Sequence, residues 1–286
     1  MKIYYLILNY NTYQDTILVI DELNCGTVNF LVVDNCSPNG SYERLLEKYK
    51  DISNVEIIKT SDNIGFAKGN NFGLEYLAKY LPDYVCIINN DVHFDAKQVY
   101  RLAHLYDTLP NPGIISPIQK LPNGSTMKFR LLRKPTALLD CLAYCAPFLI
   151  PYHKYYENTQ LSNIQEVYMI PGAYMFASYS ILSKIGFMDS RTFLYCEERF
   201  LGHRVEKNGL HNYIVLNESY IHEHSKTISS EKSKKAQGEY LHEGRMIYSQ
   251  TVRRDSKLTM AMLRLSRNLG IFLSSTKRFY KKILCK

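Results

Sequence analysis

The stretch YVCIINNDVHFD (84–95) sets a run of strand formers directly against two amides and an acid. Its first residues are apolar throughout, the pattern of a strand buried on both faces. Such a strand ending on Asn89, Asn90 and Asp91 raises the question of what the carboxylate is for. KIYYLIL (2–8), NFLVVD (29–34) and NVEIIKT (54–60) read as further strands. Helical spacing lies between them, in TYQDTILVIDEL (12–23), YERLLEKYK (42–50) and GFAKGNNFGLEYLAKYL (65–81), the last opening as a glycine-rich loop. Another helix is expected from its cap Asp95 through Leu109. Strands alternating with helices at this spacing predict an α/β fold with a mostly parallel central sheet. Ligands of such sheets bind at the carboxyl ends of strands, so Asn9, Asp34, Ser61 to Gly65 and Asn89 to Asp91 are expected to converge on one crevice.

Composition narrows what the crevice serves. The 286 residues suit one large domain, alone or with an appendage. Seven cysteines, odd in number and without CxxC spacing, fit a reducing cytosol better than a disulfide framework or zinc site. The opening MKIYYLILNYN turns polar too soon for a secretory signal. The apolar run LLDCLAYCAPFLIP (138–151) is interrupted by Asp140 and too short to span a bilayer. The net charge of +8 resides in the tail: residues 253–286 carry ten Lys/Arg against one Asp, and the rest of the chain is near neutral. A nucleic-acid-binding body would itself be basic. NYNTYQD after the first strand has no glycine, which sets a nicotinamide or flavin enzyme aside.

In the tail, Leu258, Met262, Leu265, Leu269, Phe272, Phe279 and Ile283 recur at three- and four-residue steps among Arg264, Arg267, Lys277, Arg278, Lys281 and Lys282. This predicts one or two amphipathic basic helices, with Gly270 and the serines at 274 and 275 as candidate breaks, suited to an anionic membrane surface. A helix packed on the body or on a homodimer partner is the alternative.

ILNYN (7–11), VVDNCSPNGS (32–41), NIGFAKGNNFG (63–73), IINNDV (87–92) and PGAYMFASYSILSKIGFMDSRTFLYCEERFLGHR (171–204) occur in order. Together they resemble family 2 glycosyltransferases of the inverting GT-A type, in particular bacterial rhamnosyltransferase-like enzymes of surface polysaccharide synthesis. The resemblance covers residues 2–229. It implies a GT-A domain over 1–229, with a nucleotide-sugar-binding half (1–118) and an acceptor half (119–229), followed by a helical extension over 230–286. The implied activity is transfer of a sugar from a UDP- or dTDP-linked donor, with inversion, to a glycan or polyprenyl-diphosphate-linked glycan. The implied location is the cytoplasm, at the inner face of the cell membrane.

The resemblance also assigns residues. Asp34 would read the nucleobase, since a carboxylate can accept an imide N–H. Asn9, Asn11, Asn63, Gly65, Lys68, Asn71 and Asn90 would surround ribose and diphosphate, the glycines at 65, 69 and 73 admitting the ligand to the backbone. Asp91, the last acid of a DxD-like motif whose first acid is here Asn89, would bind Mg2+ or Mn2+, which can take one or two carboxylates and complete its shell with phosphates and water. His222 or His224 would stand near that metal, His222 matching better. Glu197 and Glu198 match an acidic pair; Glu198 is favoured as general base and Glu197 as its neighbour, while Phe200 replaces a later acid. Gly172, Ala173 and Arg204 would lie on the acceptor side, and Asp189 would cap a turn. A catalytically weakened scaffold of the same fold is the main rival, and a nucleotidyltransferase a lesser one.

Overall fold

The computed structural model describes residues 1–130, 132–155, 163–223 and 231–284. Strands β1 (Ile3–Asn9), β2 (Asn29–Asp34), β3 (Val55–Lys59) and β4 (Tyr84–Ile88) lie parallel in the order β3-β2-β1-β4. They are joined by helices α1 (Tyr13–Leu23), α2 (Ser41–Tyr49) and α3 (Phe66–Leu77). Their residues are apolar on both faces because helices and neighbouring elements cover both, as parallel strands require. After the short β5 (Val92–His93), helix α4 spans Gln98–Tyr106. It starts later than expected because Asp95 forms a turn instead, its Oδ1 accepting from the Lys97 N–H at 3.1 Å.

The sheet continues with β6 (Pro112–Lys120), β7 (Ile164–Val167), β8 (Tyr174–Ser178) and β9 (His211–His222). Strand β8 pairs antiparallel with both β4 and β6, and β6 runs parallel to β9. This brings the end of β9 beside the polar end of β4. Helices α5 (Ala137–Cys145), α6 (Tyr179–Lys184) and α7 (Glu197–Lys207) flank this half.

Two expectations about glycine are corrected. Gly69 and Gly73 lie inside α3, not in a ligand-binding loop, and face Leu8, Leu6 and Val33 so closely that a Cβ would collide. They let the helix settle onto the sheet. Gly270 does not break the tail: helix α8 (Glu231–Tyr248) is followed by one long α9 (Lys257–Leu284). Gly270 sits where α9 crosses α5, its Cα against the Tyr144 carbonyl, so the missing side chain permits the crossing.

Candidate active site

The polar strand ends converge, but several of them bond to one another. Asn9 and Asp34 are register partners on β1 and β2. Asn9 Nδ2 donates to Asp34 Oδ2 at 2.7 Å, the Ser37 N–H donates to Asp34 Oδ1 at 2.8 Å, and Thr16 Oγ1 donates to Asn9 Oδ1 at 3.0 Å. Asn90 Nδ2 turns toward α1, donating to Thr12 Oγ1 at 2.6 Å and Thr16 Oγ1 at 2.9 Å. Buried polar groups demand such partners, and here they supply them to each other. Asp34 and Asn9 are fully buried, so in this structure neither offers an open edge to a nucleotide; with Asn90 they form the crevice floor.

Three further residues have structural partners where donor or acceptor contacts were expected. Both amide atoms of Asn71 bond the Met188 backbone, at 2.9 Å each. Gly65, at φ +84°, docks against the Phe193 carbonyl, which also accepts the Phe66 N–H at 2.8 Å. Arg204 clamps the Gly186 and Phe187 carbonyls and pairs with Asp189 at 3.2 Å. Asn63 is exposed, but its Oδ1 accepts from Asn35 and the Gly65 N–H. Lys68 is exposed on the first turn of α3. Asn11 keeps a buried Oδ1 without a hydrogen-bond partner.

The candidate metal-binding and catalytic groups meet at one cavity. A cavity of about 440 Å³ is lined by Asn89, Asp91, His222, Gly172, Glu197 and Glu198, with Ala173 and Gln119 also on its wall. His222 Nε2 lies 3.1 Å from Asp91 Oδ1 and 3.4 Å from Asn89 Nδ2, while Gln119 Nε2 is 3.2 Å from its Nδ1. Gln119 was missed because nothing in the β6 sequence marks it; strand pairing alone delivers it. His224 lies outside the described residues.

Helix α7 begins with its two acids. Tyr195 and Cys196 precede it at φ 72° and 74°, a left-handed conformation costly for residues with a Cβ. The strain aims the first turn of α7 at the cavity. Gly172 makes room there: a Cβ would stand 2.9 Å from Glu198 Oε1. Burial, then the neighbouring Glu198 charge, pushes Glu197 up to about 8. Burial also raises Glu198, against the pull of backbone N–H groups and Arg199. One buried Glu197 oxygen has no hydrogen-bond partner, as suits a carboxyl that keeps its proton. Burial thus raises the proton affinity of both carboxyls of the pair.

A divalent cation fits part of this wall. Asp91 and His222 offer an oxygen and a nitrogen 3.1 Å apart; the Gln119 amide nitrogen at His222 Nδ1 directs the ring proton to Nε2, toward Asp91, and a metal there would take its place. Among the described residues no cluster of three or more His, Cys, Asp or Glu could hold an ion unaided. The donor diphosphate would have to complete the shell.

The family model described as Glycosyl transferase family 2 matches residues 7–186. An N-acetylglucosaminyl-diphospho-decaprenol L-rhamnosyltransferase of Mycobacterium tuberculosis is 24% identical over 208 residues, covering 68% of this chain and 66% of that protein. A low-salt glycan biosynthesis hexosyltransferase of Haloferax volcanii is 24% identical over 206 residues, covering 72% of this chain and 62% of its own length. The chain thus spans somewhat less than two thirds of these relatives. A mannosyltransferase from Pyrobaculum calidifontis, solved with GDP-Man and Mn2+, superposes with a TM-score of 0.58 at 12% identity, covering 94% of this chain and 73% of the other.

Proposed function

Because the chain belongs to glycosyl transferase family 2, we propose that it transfers a sugar, with inversion, from a UDP- or dTDP-linked donor to a glycan carried on a polyprenyl diphosphate, in surface polysaccharide synthesis. The observation that carries this reading is that one cavity is lined by Asp91, His222 and Glu198 together. The acceptor hydroxyl attacks the anomeric carbon as Glu198 takes its proton, and the sugar–phosphate bond breaks to release the nucleoside diphosphate. Asp91 and His222 would hold Mg2+ or Mn2+, whose chemistry is to neutralise the leaving diphosphate. Gly172 and Ala173 keep the acceptor side open. Phe200, which stands where the family pattern has a later acid, packs edge-on against Tyr248.

The same reading places the enzyme on an anionic bilayer through α9. No helix among the described residues is long and apolar enough to cross a membrane. Helix α9 carries seven Lys/Arg and no acid. That charge favours an anionic lipid surface and opposes pairing with a second copy, which would align like charges.

The test is transfer of radiolabelled sugar from UDP- and dTDP-sugars to a polyprenyl-diphosphate acceptor, with and without Mn2+. Asp91→Asn is expected to lose turnover and the metal-dependent gain in nucleotide binding. Wild-type activity in that variant across a Mn2+ titration would remove Asp91 from the metal site.

A further inference from the structure

Asp140, the lone acid of the apolar run 138–151, is fully buried on α5 and meets three arginines. Arg199 of α7 grips it in bidentate fashion, Nη1 to Oδ2 at 3.1 Å and Nη2 to Oδ1 at 3.0 Å. Arg253, between α8 and α9, donates to Oδ2 at 2.7 Å and is held on its other side by Asp255 at 2.8 Å. Arg245 of α8 brings Nε to 3.6 Å from Oδ1 and lays its guanidinium over the Tyr144 ring. Burial opposes a charge on Asp140, and the arginines overcome it, holding the carboxyl below its usual range.

Buried ion clusters add little net stability compared with apolar packing, so what this one supplies is geometry and charge balance. Arg199 directly follows Glu198. Helix α8 meets the same turn from another side, with Gly244 so close to Cys196 that a Cβ would stand 2.8 Å from its Cβ. Without Asp140, Arg199 would be buried beside Glu198 with less counter-charge. Its field would stabilise the Glu198 carboxylate and weaken it as a base.

We infer that Asp140 is a positioning residue of the active site: it neutralises Arg199 and ties the first turn of α7 to the C-terminal helices, so that Glu198 keeps its place on the cavity wall and its affinity for a proton. The inference rests on the transferase reading for the role of Glu198. The charged and titratable groups around Glu198 are Glu197 and Arg199 on α7, Tyr195 and Cys196 before it, Tyr220 on β9, and Asp91 and His222 on the same cavity.

The experiment titrates Glu198 by carbon-13 carboxyl NMR in the full-length protein, with E197Q and E198Q to assign signals. D140N is expected to lower the Glu198 midpoint, R199Q to raise it, and the double variant to fall between them. The acid limb of the kcat–pH profile should follow, with kcat in D140N down about 10-fold and donor KM unchanged. A merely structural role would not produce shifts of opposite sign. Midpoints that stay put, or move the same way in both single variants, overturn the inference. Should D140N fail to fold, R199Q decides alone: a midpoint that does not rise overturns it. If the wild type transfers no sugar, the transferase reading fails by itself, and the titration still decides the charge coupling.

Discussion

Glu197 and Glu198 are adjacent in sequence, and the proposed mechanism gives them different tasks. Glu198→Gln keeps the shape of the site and removes the proposed base, so turnover should fall roughly 10²- to 10⁴-fold with donor binding retained. If Glu197→Gln shows that loss and Glu198→Gln does not, the two roles exchange. Glu197 also makes a stability prediction. Its folded value of about 8 lies above its ordinary 4.5, so between these the native state holds a proton that the unfolded chain has released. Stability from this group is therefore full below pH 4.5 and is lost as pH rises toward 8. Glu197→Gln should match wild type near pH 4 and exceed it at pH 8 to 9, by on the order of a few kcal/mol. Denaturant midpoints across pH measure this; parallel curves would show that Glu197 is not the raised acid.

At the scale of elements, α9 presents two unlike faces. Leu263 is buried and Gly270 is pressed onto α5, so one face belongs to the body. Leu258, Met262, Leu265, Leu269 and Phe272 form an exposed stripe on another; Leu265 is 69% and Phe272 64% accessible. Solvent-exposed apolar rows flanked by basic residues are the form of a helix lying in a membrane interface. The double variant L265E/F272E leaves the packed face intact. It should stop sedimenting with anionic liposomes, and lose activity on a lipid-linked acceptor more than on a short soluble analogue. Unchanged liposome binding, or a shift from dimer to monomer on gel filtration, would assign the stripe to another partner.

For the whole molecule, the C-terminal helices are part of one packed unit with the catalytic half. Ending the chain at Thr251 would remove Arg253 from Asp140 and uncover the face of α5 that α9 covers. Breaking a buried ion cluster by removing one partner costs about 3–5 kcal/mol. The shortened protein should melt well below the full chain and lose cooperativity in a thermal scan. An unchanged melting temperature would make the tail a separable appendage.

Strand and helix periodicity determined the first four strands, their helices and the convergence of their polar ends, because those signals are local to each segment. Motif order likewise pointed to Asp91, Glu198 and His222. What the strand ends do on arrival was decided by tertiary structure. Asn9, Asp34 and Asn90 read alike in sequence to free ligand contacts, but Asn9 and Asp34 bond each other and Asn90 bonds Thr12 and Thr16. Asn71 and Arg204 found backbone partners 117 residues away in one case and 17 in the other, pairings no local pattern encodes. Asp140 had a visible signal, a charge inside an apolar run, but its meaning depended on arginines brought from three other segments. A buried charge is tolerable only where the fold supplies its counter-ions, and that supply is a property of the assembled chain.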